Sequence, residues 1–157
     1  RINITKKTGG PFAAAIFDSK FGRLVSLGVN MVTSQGLSIL HAEMVAISLA
    51  QKKLRTNDLG SNKSVRYELV TSTEPCAMCL GAIPWSGVSR VVTGANDADA
   101  RSIGFDEGCK PKNWAKVLRD RNIELVQNVR QEEAKKVLLI YQQSGGEIYN
   151  SGFIEPS

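Results

Sequence analysis

Two short stretches limit most strongly how this chain can fold. His41-Ala42-Glu43 falls near the start of one predicted helix, and Pro75-Cys76-Ala77-Met78-Cys79 opens another about one strand–helix–strand unit later. His41 is the only histidine, and Cys76 and Cys79 are two of the three cysteines. Each stretch lies at a strand-to-helix junction. For them to act together, two helices must pack side by side with their N-termini converging.

The rest of the chain supplies such a framework. Gly9-Gly10-Pro11 marks a turn, and Phe12–Phe17 reads as a strand. After a turn at Asp18–Gly22, Arg23–Val32 reads as a second strand, completing a β-hairpin. Ser34–Leu37 is a loop. From Ser38 to Leu54, Leu40, Met44, Ile47, Leu49 and Leu54 recur at helical spacing, with Ser38 as the candidate cap. Val65–Thr71, Ser89–Gly94 and Ile123–Val129 read as strands. Helices are expected over Pro75–Trp85, with Pro75 in its first turn, over Pro111–Arg121 and over Gln131–Gln143, and a short one over Ala95–Arg101. Ile103–Gly108 is a loop, Ser144-Gly145-Gly146 stops the last helix, and a tail with Tyr149 and Phe153 follows. The order ββαβαβαβα argues for a three-layer α-β-α fold around a central mixed sheet. The short first turn makes the first pair antiparallel, and the helical crossovers allow the later strands to be parallel.

At 157 residues the chain is expected to form a single domain over 1–157. Arg1–Thr8 reads as the end of a helix that begins before residue 1. The net charge of +5 permits an anionic partner, but the basic residues are scattered and fit a solvated surface better than a nucleic-acid face. Three cysteines, two of them close in sequence, suit a cytoplasmic metal site better than a disulfide framework. No apolar run reaches membrane-spanning length, so no membrane partner is expected.

Cys76 and Cys79, at i and i+3, face one side of a helical turn, where free N–H groups and the helix dipole favour thiolates. With His41 they make a three-donor zinc set that leaves a fourth tetrahedral position open for water. Glu43, two residues from His41, points elsewhere on its helix and is suited to move that water's proton. This pairing is what hydrolytic deamination of a nucleobase requires. A lone histidine more often sits on a surface or in a core, and a lone Cys-x-x-Cys can be a redox pair. A structural four-ligand zinc would need another donor, and Cys109 is the one cysteine left.

His-Ala-Glu followed by Pro-Cys-x-x-Cys resembles the signature of the cytidine deaminase-like zinc hydrolases. Gly9–Ala15, Gly28-Val29-Asn30, Glu74–Cys79, Gly104–Gly108 and Ile148-Tyr149-Asn150 look like the guanine deaminase branch, over Gly9 to about Asn150. The resemblance implies a five-stranded mixed sheet, one zinc ion per subunit held by His41, Cys76 and Cys79, and Glu43 as proton shuttle. It implies that Asn30 and the backbone N–H of Ala42 hydrogen-bond the base, and that Phe12 and Phe105 pack against its ring. Glu107 becomes a second catalytic carboxylate near the leaving amino group, and Trp85 and Tyr149 close the pocket. It further implies a homodimer acting on a free nucleobase, guanine being converted to xanthine and ammonia. The bland alternatives are a turn role for Asn30, core packing for Phe12, helix-end packing for Trp85, a solvated loop for Asp106-Glu107 and a subunit contact for Tyr149. The rival functions are deamination of cytosine, cytidine, guanosine, ammeline or tRNA adenosine, and a non-catalytic zinc-binding module of the same fold.

Overall fold

The structure, a computed structural model, describes residues 8–150. The expected helix end at Arg1–Thr8 (apart from Thr8 itself) and the tail residue Phe153 lie outside the described residues. Strands β1 (Ala13–Asp18), β2 (Arg23–Val29), β3 (Tyr67–Thr73), β4 (Arg90–Ala95) and β5 (Glu124–Val126) form one sheet in the order β2-β1-β3-β4-β5. β1 runs antiparallel to both β2 and β3, whereas β3, β4 and β5 are parallel. The mixed five-stranded sheet is therefore as expected.

Helices α1 (Val32–Gln35), α2 (Ala42–Leu54), α3 (Ala77–Ser86), α4 (Asp97–Ser102), α5 (Trp114–Arg119) and α6 (Gln131–Gln143) complete the described elements. Leu69 and Val91 of the sheet, Ala46 and Ile47 of α2, and Leu80 and Ile83 of α3 share one buried cluster, which places α2 and α3 on one face. On the other face, a Cβ added at Gly94 of β4 would meet Ala134 of α6. Helices on both faces give the three layers. Among the described residues, no helix is long and apolar enough to cross a membrane.

Several boundaries differ from the sequence reading. α2 begins at Ala42 rather than Ser38, because residues 31–40 close on themselves: the Met31 N–H donates to the Leu40 carbonyl at 2.9 Å. His41 then stays extended (φ −66°, ψ 155°) and takes the N-cap position expected of Ser38. Pro75 precedes the cap rather than entering the first helical turn, because the Glu74 N–H still bonds the Ala95 carbonyl and Cys76 is extended at ψ 172°. β2 ends at Val29, where Asn30 leaves the strand, and Val32–Gln35 forms a short helical turn instead of strand and loop. β5 shrinks to Glu124–Val126, flanked by Asn122 (φ 58°) and Asn128 (φ 62°), whose left-handed backbone cannot continue a strand.

The buried stripe of α2 is Ala42, Ala46 and Ala50, all fully buried, with Ile47; Leu49, one of the residues whose spacing marks the helix, is 46% exposed. Small residues at i, i+4 and i+8 let the helix lie almost on β2. Gly28 completes the fit, since a Cβ there would strike the Ala42 carbonyl and lie 2.5 Å from the Ala46 nitrogen. The Ser26 hydroxyl donates to the Ala46 carbonyl at 2.7 Å. Replacing Gly28 with Ala should lower unfolding free energy by about 3 kcal/mol through overpacking. Chemical denaturation that leaves stability within about 0.5 kcal/mol of the parent would contradict this packing.

Candidate active site

The two helix starts meet. His41 caps α2 and Cys76 caps α3, and the donor atoms of His41, Cys76 and Cys79 all lie within 4.8 Å of one another. His41 Nδ1 is 3.4 Å from Cys76 Sγ. Both thiols are buried and unbridged, whereas Cys109 is exposed and stands outside the cluster. Among the described residues the site thus offers three donors, not the four of a closed structural site.

The three donor groups set one another's protonation. Cys76 is pulled down to about 4, chiefly by the hydrogen bond from Cys79 and then, against burial, by the bond with His41. Cys79, which gives that hydrogen bond and is buried, is pushed up. Burial, the largest influence, disfavours a charged His41, but its hydrogen bond to Cys76 together with the negative charges of Cys76, Glu43 and Glu107 outweighs burial and raises it. Two soft sulfur donors and an imidazole thus compete for protons at one point, a set suited to zinc.

Glu43 sits in the first turn of α2 and is buried, which raises its carboxyl. The Thr71 hydroxyl of β3 donates to its Oε1 at 3.4 Å. Glu107 is also buried; burial first, and then the Cys76 sulfur, push it up to about 8, while the Lys110 ammonium opposes the shift. Its backbone carbonyl accepts from the Ala77 N–H at 2.9 Å, which ties the loop after α4 to the first helical residue behind Cys76.

These groups face a cavity of about 280 Å³. Of the residues expected at a site, Phe12, Asn30, His41, Glu43, Cys76, Phe105, Glu107 and Tyr149 line it. Phe105 is the centre of an aromatic wall, with ring centroids 4.9 Å from Phe12 and 5.3 Å from Tyr149. Asn30 is fully buried, and its Oδ1 accepts from the Gly10 N–H at 3.1 Å and the Val32 N–H at 3.2 Å. Both backbone donors therefore fix the amide with Nδ2 as its free end. Neither Asn30 Nδ2 nor the Tyr149 hydroxyl forms a geometrically sound hydrogen bond within the described residues, although they are close enough for Asn30 to influence Tyr149 ionisation.

Two expected substrate residues do not line the cavity. Trp85 is 81% exposed near the far end of α3, about two helical turns from Cys79, and neither closes the pocket nor packs the helix end. Ala42 is fully buried against β2, and only its backbone N–H, between His41 and Glu43, remains for a base. Conversely, Val32, Ser38, Glu74, Asp106 and Asn150 line the cavity without having been singled out individually as site residues. Asn150 acts across a long sequence gap: its Oδ1 accepts from the Asp106 N–H and its Nδ2 donates to the Gly104 carbonyl, both at 2.9 Å. The acidic Glu74 directly before Pro75-Cys76 was the available signal for a buried cavity carboxylate.

The family described as the cytidine and deoxycytidylate deaminase zinc-binding region matches residues 2–95. A guanine deaminase of Bacillus subtilis is 39% identical over 76% of this chain and 72% of its own length. A solved structure of guanine deaminase from Nitrosomonas europaea is 44% identical, with a TM-score of 0.89 over 91% of this chain and 78% of that one. A structure in complex with 2,6-diaminopurine is 45% identical, with a TM-score of 0.90 over 96% of this chain and 79% of that one.

The zinc-loaded protein should expose one thiol per chain, Cys109, to an aromatic disulfide reagent. Chelation should make all three react. Rapid reaction of three thiols while zinc remains bound would contradict the ligand set.

Proposed function

The chain belongs to the cytidine and deoxycytidylate deaminase zinc-binding family, and we propose that it hydrolyses guanine to xanthine and ammonia with zinc as its cofactor. The observation that carries this reading is the cluster of His41, Cys76 and Cys79 at the edge of one aromatic-walled cavity that His41, Cys76 and Glu43 line. His41, Cys76 and Cys79 are the residues that would hold the metal. Zinc, when bound, supplies Lewis-acid activation of water at neutral pH.

The chain's own groups account for the rest. Phe12, Phe105 and Tyr149 give a planar base apolar surface to stack against and exclude solvent. Because two backbone N–H groups occupy its Oδ1, Asn30 can only donate into the cavity. It therefore suits the acceptor edge of an oxopurine, and the Ala42 N–H offers a further donor. Glu43 takes a proton from water and delivers it to ring N3 as the water oxygen adds to C2. Glu107, protonated near neutral pH by its burial, gives a proton to the exocyclic amino group. The C2–N bond then breaks as the C2 hydroxyl gives up its proton to a carboxylate, which restores the proton spent on the amino group; ammonia leaves and xanthine remains. Separate carboxyls thus serve ring protonation and leaving-group departure.

We read the chain as one catalytic domain that works in cytoplasmic purine metabolism. The unbridged buried thiols support a reducing compartment. A homodimer is supported by Trp85, 81% exposed, and by Leu27, 59% exposed on the open part of the sheet.

Glu43→Gln should retain zinc and lower kcat for guanine by about 1,000-fold or more. Asn30→Asp keeps the acceptor for Gly10 and Val32 but removes the inward donor, and should lower kcat/KM for guanine by about 100-fold. Ammonia release by the Glu43 variant near the parent rate would overturn the shuttle, and an unchanged kcat/KM in the Asn30 variant would remove its role in choosing the base.

A further inference from the structure

Lys110 is a buried lysine that the reaction as described does not use. Its side chain is 7% exposed. Its ammonium lies 2.6 Å from Asp97 Oδ1 and 3.7 Å from Glu74 Oε2, and donates to the Pro75 carbonyl at 3.1 Å. The Trp114 ring centroid lies 5.5 Å away on a further side. The ammonium donates one hydrogen bond, to the Pro75 carbonyl, and is paired with two carboxylates, Asp97 in close contact and Glu74 farther off, which is what makes burial of this charge tolerable.

The partners place that charge at a junction. Pro75 is the residue before the metal-donor Cys76, and Glu74 lines the cavity. Glu74 is itself fixed, since Gln127 Nε2 donates to its Oε1 at 2.9 Å and the Asp97 N–H to its Oε2 at 3.2 Å. Asp97 also receives Arg101 Nε at 2.6 Å, and Arg101 donates onward to the Gly108 carbonyl at 2.8 Å. Lys110 follows the loop that carries Phe105 and Glu107 to the cavity. Its ammonium and Arg101 therefore hold that loop from both sides of Asp97, with the lysine anchored on the turn that presents Cys76.

We propose that Lys110 is a positioning residue of the deamination site, pinning the Phe105–Glu107 loop to the Glu74-Pro75-Cys76 turn through its contacts with Asp97, Glu74 and the Pro75 carbonyl. The proposal rests on the deaminase reading for its kinetic consequence, but not for its structural one. Lys110 touches neither the base nor the reacting atoms. It fixes the distance between Glu107, on one element, and the metal-donor turn, on another. Losing it should therefore disturb the chemical step more than binding of the base.

Three variants test this: Lys110→Met, which keeps an apolar stem against Trp114; Asp97→Asn; and the two combined. In Lys110→Met, zinc content should be unchanged, KM for guanine should stay within about threefold, and kcat should fall about 30-fold. Hydrogen exchange at the Asp106 and Gly108 amides should quicken about tenfold, with exchange in β1 and β3 unchanged. In Lys110→Met, Asp97 keeps Arg101 as its one remaining cation among the described residues; the combined variant removes that less fully compensated carboxylate charge, so it carries the same readouts should the single variant fail to fold. It should remain as impaired as Lys110→Met. A combined variant with parental kcat and loop protection would show that the lysine only neutralises acids, and would overturn the proposal. So would a Lys110→Met variant whose loop exchange is unchanged, or whose loss lies in KM rather than kcat. If the parent releases no ammonia from guanine, the functional reading fails while the exchange measurement still decides the clamp.

Discussion

The site depends on the approach of two helix starts. His41 and Cys76 are both N-cap residues with extended backbone, so their side chains project beyond the ends of α2 and α3 rather than along their flanks. The positive ends of both helix dipoles are thereby turned toward the same sulfur and carboxylate groups. That convergence requires α2 to lie very close to β2. The alanine stripe at 42, 46 and 50 and the bare Cα of Gly28 permit it, and no larger residue at those points would.

The second half of the site is built across sequence distance. The loop Gly104–Gly108 brings Phe105 and Glu107 to the metal-donor turn, with Glu107 bonded through its backbone to Ala77. Asn150 holds the same loop from the tail, and Tyr149 beside it closes the aromatic wall. Lys110 and Arg101, both acting on Asp97, fasten its outer side. Burial and the Cys76 sulfur raise the Glu107 carboxyl while the Lys110 ammonium opposes them, so what these ties preserve is its position.

The chemistry was legible in the sequence because its signals are local. Cys76 and Cys79 share a helical turn by spacing alone, and a single histidine leaves no choice of third donor. The strand–helix order likewise gave the sheet its mixed topology. What failed were features set by tertiary contacts. Leu49 helped to mark the helix by its spacing, but periodicity does not say which side faces the sheet, and the close approach of α2 to β2 buries the alanines instead. Ser38 had the chemistry of a cap, but the Met31–Leu40 bond displaced the helix start to His41. Trp85 was placed at the pocket by the family resemblance, yet lies about two turns from Cys79 and is largely exposed. The roles of the buried Glu74 and Lys110 side chains and of the exposed Asn150 rest on partners that spacing along the chain does not reveal.

The most direct test of the account is ammonia release by the zinc-loaded parent protein offered guanine, guanosine, cytosine, cytidine, adenine and ammeline separately. The account predicts that guanine is the one good substrate, yielding one xanthine for each ammonia. A zinc-loaded, folded protein that releases ammonia from none of these, or from cytosine in preference to guanine, would contradict it.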